Sequence, residues 1–315
     1  MNFLITGGCG YIGTVLVNNL INEKKCNKIT VVDNQWFGNY LKKNKKLTIK
    51  KKNILDIGIK DLKKIDVVVH LANIANDPGA ELNPELSIDT NIIATFNLFN
   101  LSKKSKVKKF IFASSGSVYG IKKEKKVTES LSLVPISTYN KTKMVAENLI
   151  MSNLNKFTKV YIIRPATVCG FSPRMRLDVS VNMLTFQALK KKEINVLGGK
   201  QIRPNIHIKD MVRVYTHFIN KKNIKNGIYN AGFENLSILN LARKIKEKID
   251  CSIKIKKSND SRSYRLDSTK LLRTGFQPKY SVEIAIDELV EKYNKKKIIE
   301  SDKNYTVRWM KKLKF

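Results

Sequence analysis

Tyr139 and Lys143 stand four residues apart in Tyr139-Asn140-Lys141-Thr142-Lys143, a spacing that puts both side chains on one face of a helix. A cation held beside a phenol favours its ionised form and moves a reference pKa of about 10 toward the range of a general base. The chain contains three such Tyr-x-x-x-Lys pairs: Tyr119/Lys123, Tyr139/Lys143 and Tyr293/Lys297. The second is singled out because Ser137-Thr138 opens a helix and a hydroxyl-rich loop precedes it. That loop reads Ala113-Ser114-Ser115-Gly116-Ser117-Val118-Tyr119-Gly120 and follows the apolar run 110–113. A serine at such a strand end can hydrogen-bond a substrate hydroxyl while Tyr139 takes its proton.

A second constellation lies at the start of the chain, Thr6 to Gly13, reading TGGCGYIG. It follows the short apolar run 3–5 and leads into a helical stretch. Gly7, Gly10 and Gly13 can serve a tight turn, close approach to a pyrophosphate, and helix–strand packing. The helix N-terminus then offers free N–H groups and partial positive charge to the phosphates. A second apolar run, 29–32, ends in Asp33, twenty residues beyond Gly13, where an acid binds the adenosine ribose of a dinucleotide.

These residues need a scaffold that brings strand ends together. Apolar runs at 3–5, 29–32, 67–71, 110–113 and 160–163 read as buried parallel strands. Helical stretches at 11–24, 84–104 and 138–153 alternate with them, which predicts an α/β fold: a doubly wound parallel sheet of Rossmann type. Asp56 follows a third short strand, where a loop can meet the adenine. Beyond Pro165 the pattern loosens into helical segments at 179–191, 237–249 and 282–297, a lysine-rich strand at 253–257, and a strand at 228–231 that returns to the sheet. The expected division is a dinucleotide-binding domain over 1–165 with a return segment 205–232. A smaller, discontinuous substrate-binding region takes 166–204 and 233–297, and 298–315 is a basic tail whose role is not legible.

The net charge is +34, from 60 Lys and Arg against 26 Asp and Glu. Only ten of the basic residues are arginine and the first is Arg164, so arginine forks interleaved with aromatics are missing from the first half. A nucleic-acid surface is therefore not expected; the lysines read as solvated decoration that speeds encounter with small anions. Cys9, Cys26, Cys169 and Cys251 lie far apart with no Cys-x-x-Cys pair, against a disulfide framework or zinc site. No basic leader or long apolar run occurs, so neither signal peptide nor membrane contact is expected and a cytoplasmic location is.

Taken together, the chain resembles the extended short-chain dehydrogenase/reductase family, in its branch of NAD-dependent nucleotide-sugar epimerases and dehydratases. The resemblance runs from TGGCGYIG through HLANIA, SSGSVYG and YNKTK to RPNIHIKD and YRLDSTKLLRTGFQP. It implies NAD as cofactor, with contacts from Gly7, Gly10, Tyr11, Ile12, Gly13, Asp33, Asn34, Asp56, Ile57, Leu71, Ala72, Asn91, Tyr139 and Lys143. It implies Ser115, Tyr139 and Lys143 as the catalytic set and no metal. Ser117, Thr167, Arg174, Arg203 and Arg265 are the implied substrate contacts, the last two suited to gripping a diphosphate. A homodimer is implied as well, and the stretch 84–104 carries Ile88, Ile92, Phe96 and Phe99 at spacings that can serve two apolar surfaces.

The sequence departs from the family pattern in two places. Dehydratases of this family carry an acid directly after the catalytic Ser or Thr, where this chain has Gly116 and Ser117. An asparagine that often meets the sugar nucleotide is replaced by Thr167. The segment SPRMRLD also resembles bacterial surface-polysaccharide sugar oxidoreductases, including nucleotide-heptose 4-dehydrogenases. The expected reaction is oxidation at C4 of a GDP-, UDP- or dTDP-linked hexose or heptose without loss of water. Release of the 4-keto sugar by a 4-dehydrogenase of polysaccharide biosynthesis is favoured. A 4-epimerase and a catalytically silent dinucleotide-binding regulator are the alternatives.

Overall fold

A computed structural model describes residues 1–257 and 263–313. Its first part alternates as the apolar runs demand: β1 (Asn2–Thr6), α1 (Tyr11–Ile21), β2 (Lys28–Asp33), β3 (Leu47–Lys51) and β4 (Val67–His70). There follow α2 (Asp77–Ala80), α3 (Pro84–Ile88), a π-helical turn Asp89–Ile93, α4 (Ala94–Lys104), β5 (Lys109–Ala113), α5 (Thr138–Met151) and β6 (Lys159–Pro165). The second part contributes β7 (Thr167–Cys169), α6 (Ser180–Lys191), β8 (Glu193–Leu197), β9 (Ile202–His207), α7 (Ile208–Asn220) and β10 (Gly227–Ala231). It closes with β11 (Glu234–Ser237), α8 (Ile238–Lys248), β12 (Ser252–Lys256), α9 (Thr269–Leu272), α10 (Val282–Asn294) and α11 (Thr306–Leu313).

Seven parallel strands in the order β10-β6-β5-β4-β1-β2-β3 form the central sheet. Its inner strands are apolar on both faces because helices cover both. Phe3, Ile5, Val31, Val67 and Ile111 pack with α1 and α7 on one side, and Leu4, Val32, Val68, Phe110 and Ile162 with α4 and α5 on the other. The chain winds outward through β2 and β3, then returns to place β4 against β1, which opens a crevice beyond their carboxyl ends. Gly7 N–H donates to the Val32 carbonyl at 2.9 Å and Leu71 N–H to that of Thr6 at 3.0 Å. The loops after β1, β2 and β4 are thereby locked side by side.

A second lobe is built from the sheets β11-β9-β7 and β12-β8 with α6, α8 and α10 around Val181, Ile194, Leu241 and Ile286. The expected return segment is therefore split. Its first residues belong to β9 in the small sheet, while α7 and β10 rejoin the large one. The basic tail folds as well: Ser301 and Asn304 cap a short turn ahead of α11, and Lys314 and Phe315 lie outside the described residues. Among the described residues no helix is long and apolar enough to cross a membrane.

Candidate active site

The crevice is a cavity of about 660 Å³ whose wall runs from the glycine loop to the second lobe. Gly7 has φ +71° and a Cβ there would lie 2.6 Å from Ala72 N, while a Cβ on Gly13 would collide with the Gly7 carbonyl. Only glycine lets the three loops approach this closely. Gly10 caps α1 without a side chain, so the first-turn N–H groups of Tyr11, Ile12 and Gly13 have no side-chain acceptor, and all three residues line the wall. Asp33 lies beside them; its carboxylate accepts from Cys9 N–H at 2.9 Å and Gln35 N–H at 2.7 Å. Burial raises its pKa, with those two bonds and the charge of Arg174 pulling the other way.

At the far end of the wall Ser115 and Tyr139 meet. Ser115 caps the turn after β5 and its Oγ lies 2.7 Å from Ser117 Oγ, which donates onward to Asn140. Tyr139 sits in the first turn of α5, whose N-cap is Ser137. Burial pushes the phenol up to about 12, opposed by a hydrogen bond from Ser115 and by the charge of Arg176. Lys143 lies one turn behind, 1% exposed, its Nζ donating to the Ala113 carbonyl at 2.8 Å and standing 5.9 Å from the Tyr139 ring centre. Burial drives its own pKa down to about 7, with Glu147 opposing. Lys143 thus stands behind the Tyr139 ring on the shared helix face, its Nζ held by the Ala113 carbonyl. Arg176, on a loop more than thirty residues away, adds a positive charge that favours the phenolate.

A loop after one strand that holds a glycine cradle, an acid at the end of the next and a Ser/Tyr pair in the same cavity is the layout of a dinucleotide oxidoreductase. Residues 3–232 match the NAD dependent epimerase/dehydratase family. The chain belongs to that family.

Within it, the chain is 33% identical over 263 residues to an uncharacterized UDP-glucose epimerase of Bacillus subtilis, covering 78% of this chain and 82% of the relative. Among solved structures, UDP-N-acetylglucosamine 4-epimerase of Methanobrevibacter ruminantium superposes with a TM-score of 0.85 at 27% identity, covering 94% of this chain and 98% of that one. UDP-glucose 4-epimerase of Thermotoga maritima gives 0.82 at 28% identity over 94% and 99%. The protein is accordingly an enzyme of NAD-dependent nucleotide-sugar chemistry, and its glycine cradle, free helix N-terminus and Asp33 fit the dinucleotide.

Most of the residues expected from sequence come together. Asn34, Leu71, Ala72, Ser117, Thr167, Arg174 and Arg203 line the same wall as the glycine loop, Ser115 and Tyr139. Five do not. Asp56 is exposed and Ile57 is buried in the core beneath the sheet; Asn53 and Ile54 line the cavity instead. The chain turns into a short 3-10 helix right after β3, so the residues facing the crevice come three positions earlier than expected. Asn91, in the π-helical turn, is fully buried and its amide grips Ile74 by both N–H and C=O. It positions the loop after β4 rather than lining the crevice. Lys143 lies behind the wall, and Arg265 is exposed while its neighbour Tyr264 faces the cavity.

Sequence offers Glu81 and Asp178 as acids that could reach the site, whereas Asp77, Thr306 and Met310 carried no signal and line it. Asp77 follows Asn76, whose φ of +70° with ψ 157° is strained for a residue other than glycine. Asp178 also lines the cavity; burial raises its carboxyl, but Arg176 and the Thr306 N–H outweigh this and hold it at about 2. Glu81 is exposed and accepts from Thr138 N–H at 2.9 Å. The tail supplies Thr306 and Met310 to the wall, and Met310 packs with Ile74, Ala80 and Tyr139.

Proposed function

We propose that this enzyme interconverts the C4 epimers of a nucleotide-diphosphate hexose or heptose, with UDP-linked sugars the first to test. The observation that carries the reading is that one cavity holds both the dinucleotide cradle and the Ser115/Tyr139 pair. Tyr139 takes the proton of the C4 hydroxyl, Ser115 holds that oxygen in line, and the Arg176 charge favours the phenolate. NAD, held by the glycine loop and Asp33, would supply hydride chemistry at C4 of the sugar. Lys143, neutral or charged near pH 7, braces the β5 end and the helix that carries Tyr139. Arg203, on β9 in the second lobe, takes the substrate diphosphate with its planar fork. Thr167 and Ser117 stand where sugar hydroxyls pass.

The sequence favours release of the 4-ketone, whereas two structural features support return of the hydride in place. The loop from Gly170 to Asp178 is latched onto the N-terminus of α1, with Tyr11 Oη donating to the Gly170 carbonyl at 2.7 Å and Ser172 Oγ to that of Tyr11 at 2.8 Å. The tail then bridges the crevice: Thr306 N–H donates to Asp178 at 2.8 Å and Trp309 Nε1 to the Trp36 carbonyl at 2.6 Å. These contacts would hinder escape of a cofactor held by the glycine loop. Elimination of water is not expected, because Gly116 and Ser117 supply no acid and Asp178 is committed to Arg176.

Incubation with UDP-, GDP- and dTDP-sugars, followed by mass and configuration of the products, tests the reading. An epimer of unchanged mass without net NADH supports it. A released 4-ketone with stoichiometric NADH restores the 4-dehydrogenase, and no reaction with any of these sugar nucleotides overturns the C4 reading.

A further inference from the structure

We infer that Arg174, carried by the second lobe, is a ligand for the pyrophosphate of the dinucleotide rather than for the substrate. The assignment rests on the dinucleotide site, not on which sugar is turned over.

Arg174 is 4% exposed yet lines the cavity, and its Nε is buried with no hydrogen-bond partner. A guanidinium brought out of water in this way is costly unless an anion meets it. Its direction is fixed by the loop after β2: the guanidinium carbon lies 4.2 Å above the centre of the Phe37 ring. Its charge is felt by Asp33 at the end of β2, while from its own loop Arg176 opposes it and Asp178 favours it without a hydrogen bond to its Nε. The loop bearing it is bound to Tyr11, the first residue of α1, through Gly170 and Ser172. Arg174 thus overlies the angle between the α1 N-terminus and Asp33, where the phosphates and adenosine ribose of a dinucleotide lie. Arg203 stays on β9 near Gln201 and Tyr264, toward the second lobe.

A planar fork aimed at a diphosphate from above complements the N–H groups that meet it from below. It also makes cofactor affinity depend on the second lobe, since a loop of the substrate-binding region carries the charge.

The test measures binding of ADP-ribose, adenosine and UDP by calorimetry on the full-length protein, with Arg174→Met and Arg203→Met compared. Arg174→Met is expected to weaken ADP-ribose by about 10–100-fold, as for loss of a charged hydrogen-bonding group, leaving adenosine and UDP within about threefold. Arg203→Met is expected to do the reverse. A loss of UDP affinity with ADP-ribose unchanged would assign Arg174 to the substrate and overturn the inference, as would no change in either ligand. Should Arg174→Met fail to fold, Phe37→Ala removes the ring that aims the guanidinium and is expected to weaken ADP-ribose alone; an unchanged ADP-ribose affinity there also overturns it. Failure of the wild type to bind UDP would count against the nucleotide-sugar reading and is scored separately from the ADP-ribose result.

Discussion

The Ser137 hydroxyl donates to the Asp77 carboxylate at 2.7 Å, which ties the strained loop after β4 to the N-cap of the helix carrying Tyr139. The Asp77 charge also raises the Tyr139 pKa, opposite to Arg176. The two charges therefore bracket the phenol from opposite elements.

Removing either charge should move the acidic limb of the pH profile of kcat/KM in a defined direction. Asp77→Asn lowers the phenol pKa and shifts the limb to lower pH; Arg176→Met shifts it to higher pH. Each shift should stay below about one unit, since both charges border a wet cavity. Identical profiles for the two variants would show that neither charge acts on the base. Asp77 is also the acid to examine if the wild type yields a product lighter by one water: loss of that product in Asp77→Asn would make it the eliminating group.

Tyr139→Phe should cost at least the ~10²–10⁴-fold typical of acid–base catalysis, with NAD binding retained. Tyr119→Phe should slow turnover far less than Tyr139→Phe, and its cost should fall on stability. Tyr119 is fully buried, its hydroxyl accepting from Arg164 at 2.7 Å and donating to Asn230 at 2.8 Å. Arg164 in turn is paired with Glu147 at 2.6 Å. Its loss should cost about 1–3 kcal/mol of stability by denaturant unfolding. Exposed Lys297 to Ala should change little. Abolished turnover in Tyr119→Phe but not in Tyr139→Phe would reverse the choice of base.

Lys143 should leave a pH signature on stability. Its pKa falls from 10.5 in the unfolded chain to about 7 in the fold. Below pH 7 both states hold the proton and the fold bears the full burial penalty. Between the two values the unfolded chain binds more protons, so stability rises with pH. Lys143→Met removes the penalty, so its melting temperature relative to wild type should be most favourable near about pH 6 and decline toward about pH 10. A difference independent of pH would mean that Lys143 is not held at a depressed pKa.

NAD should bind more tightly than NADP, because a carboxylate at the end of β2, as Asp33 is, would repel a 2′-phosphate. Arg174 partly offsets that repulsion, a neighbour that sequence distance hides. Titration of both cofactors, with Asp33→Ser alongside, measures the preference; NADP binding as tight as NAD in the wild type would remove this role from Asp33.

A homodimer is expected through the 84–104 stretch. Of the four residues that suggested it, Phe99 is core and Phe96 and Ile92 are partly covered. Ile88 stays 43% exposed and is joined by Ile93 at 53%. Light scattering at micromolar concentration should give twice the 36.0 kDa chain mass, and Ile93→Lys should give the monomer. A monomeric wild type would rule out the dimer.

The sequence by itself determined the elements and the loops that meet. Strands apolar on both faces can only be parallel and covered, and three glycines at the first crossover read as a phosphate cradle because their spacing is local. Ser115 and Tyr139 were legible for the same reason, each tied to a strand end or a helix start a few residues away. Tertiary structure decided what depends on separate elements converging. It brought the charge of Arg176 to the phenol, and turned Arg174 toward the β2 loop. It replaced Asp56 and Ile57 by Asn53 and Ile54, and carried Thr306 and Met310 of an illegible tail into the wall. Charge and packing act through space over a few ångströms, and nothing in a residue's position along the chain records which distant loop will lie that close.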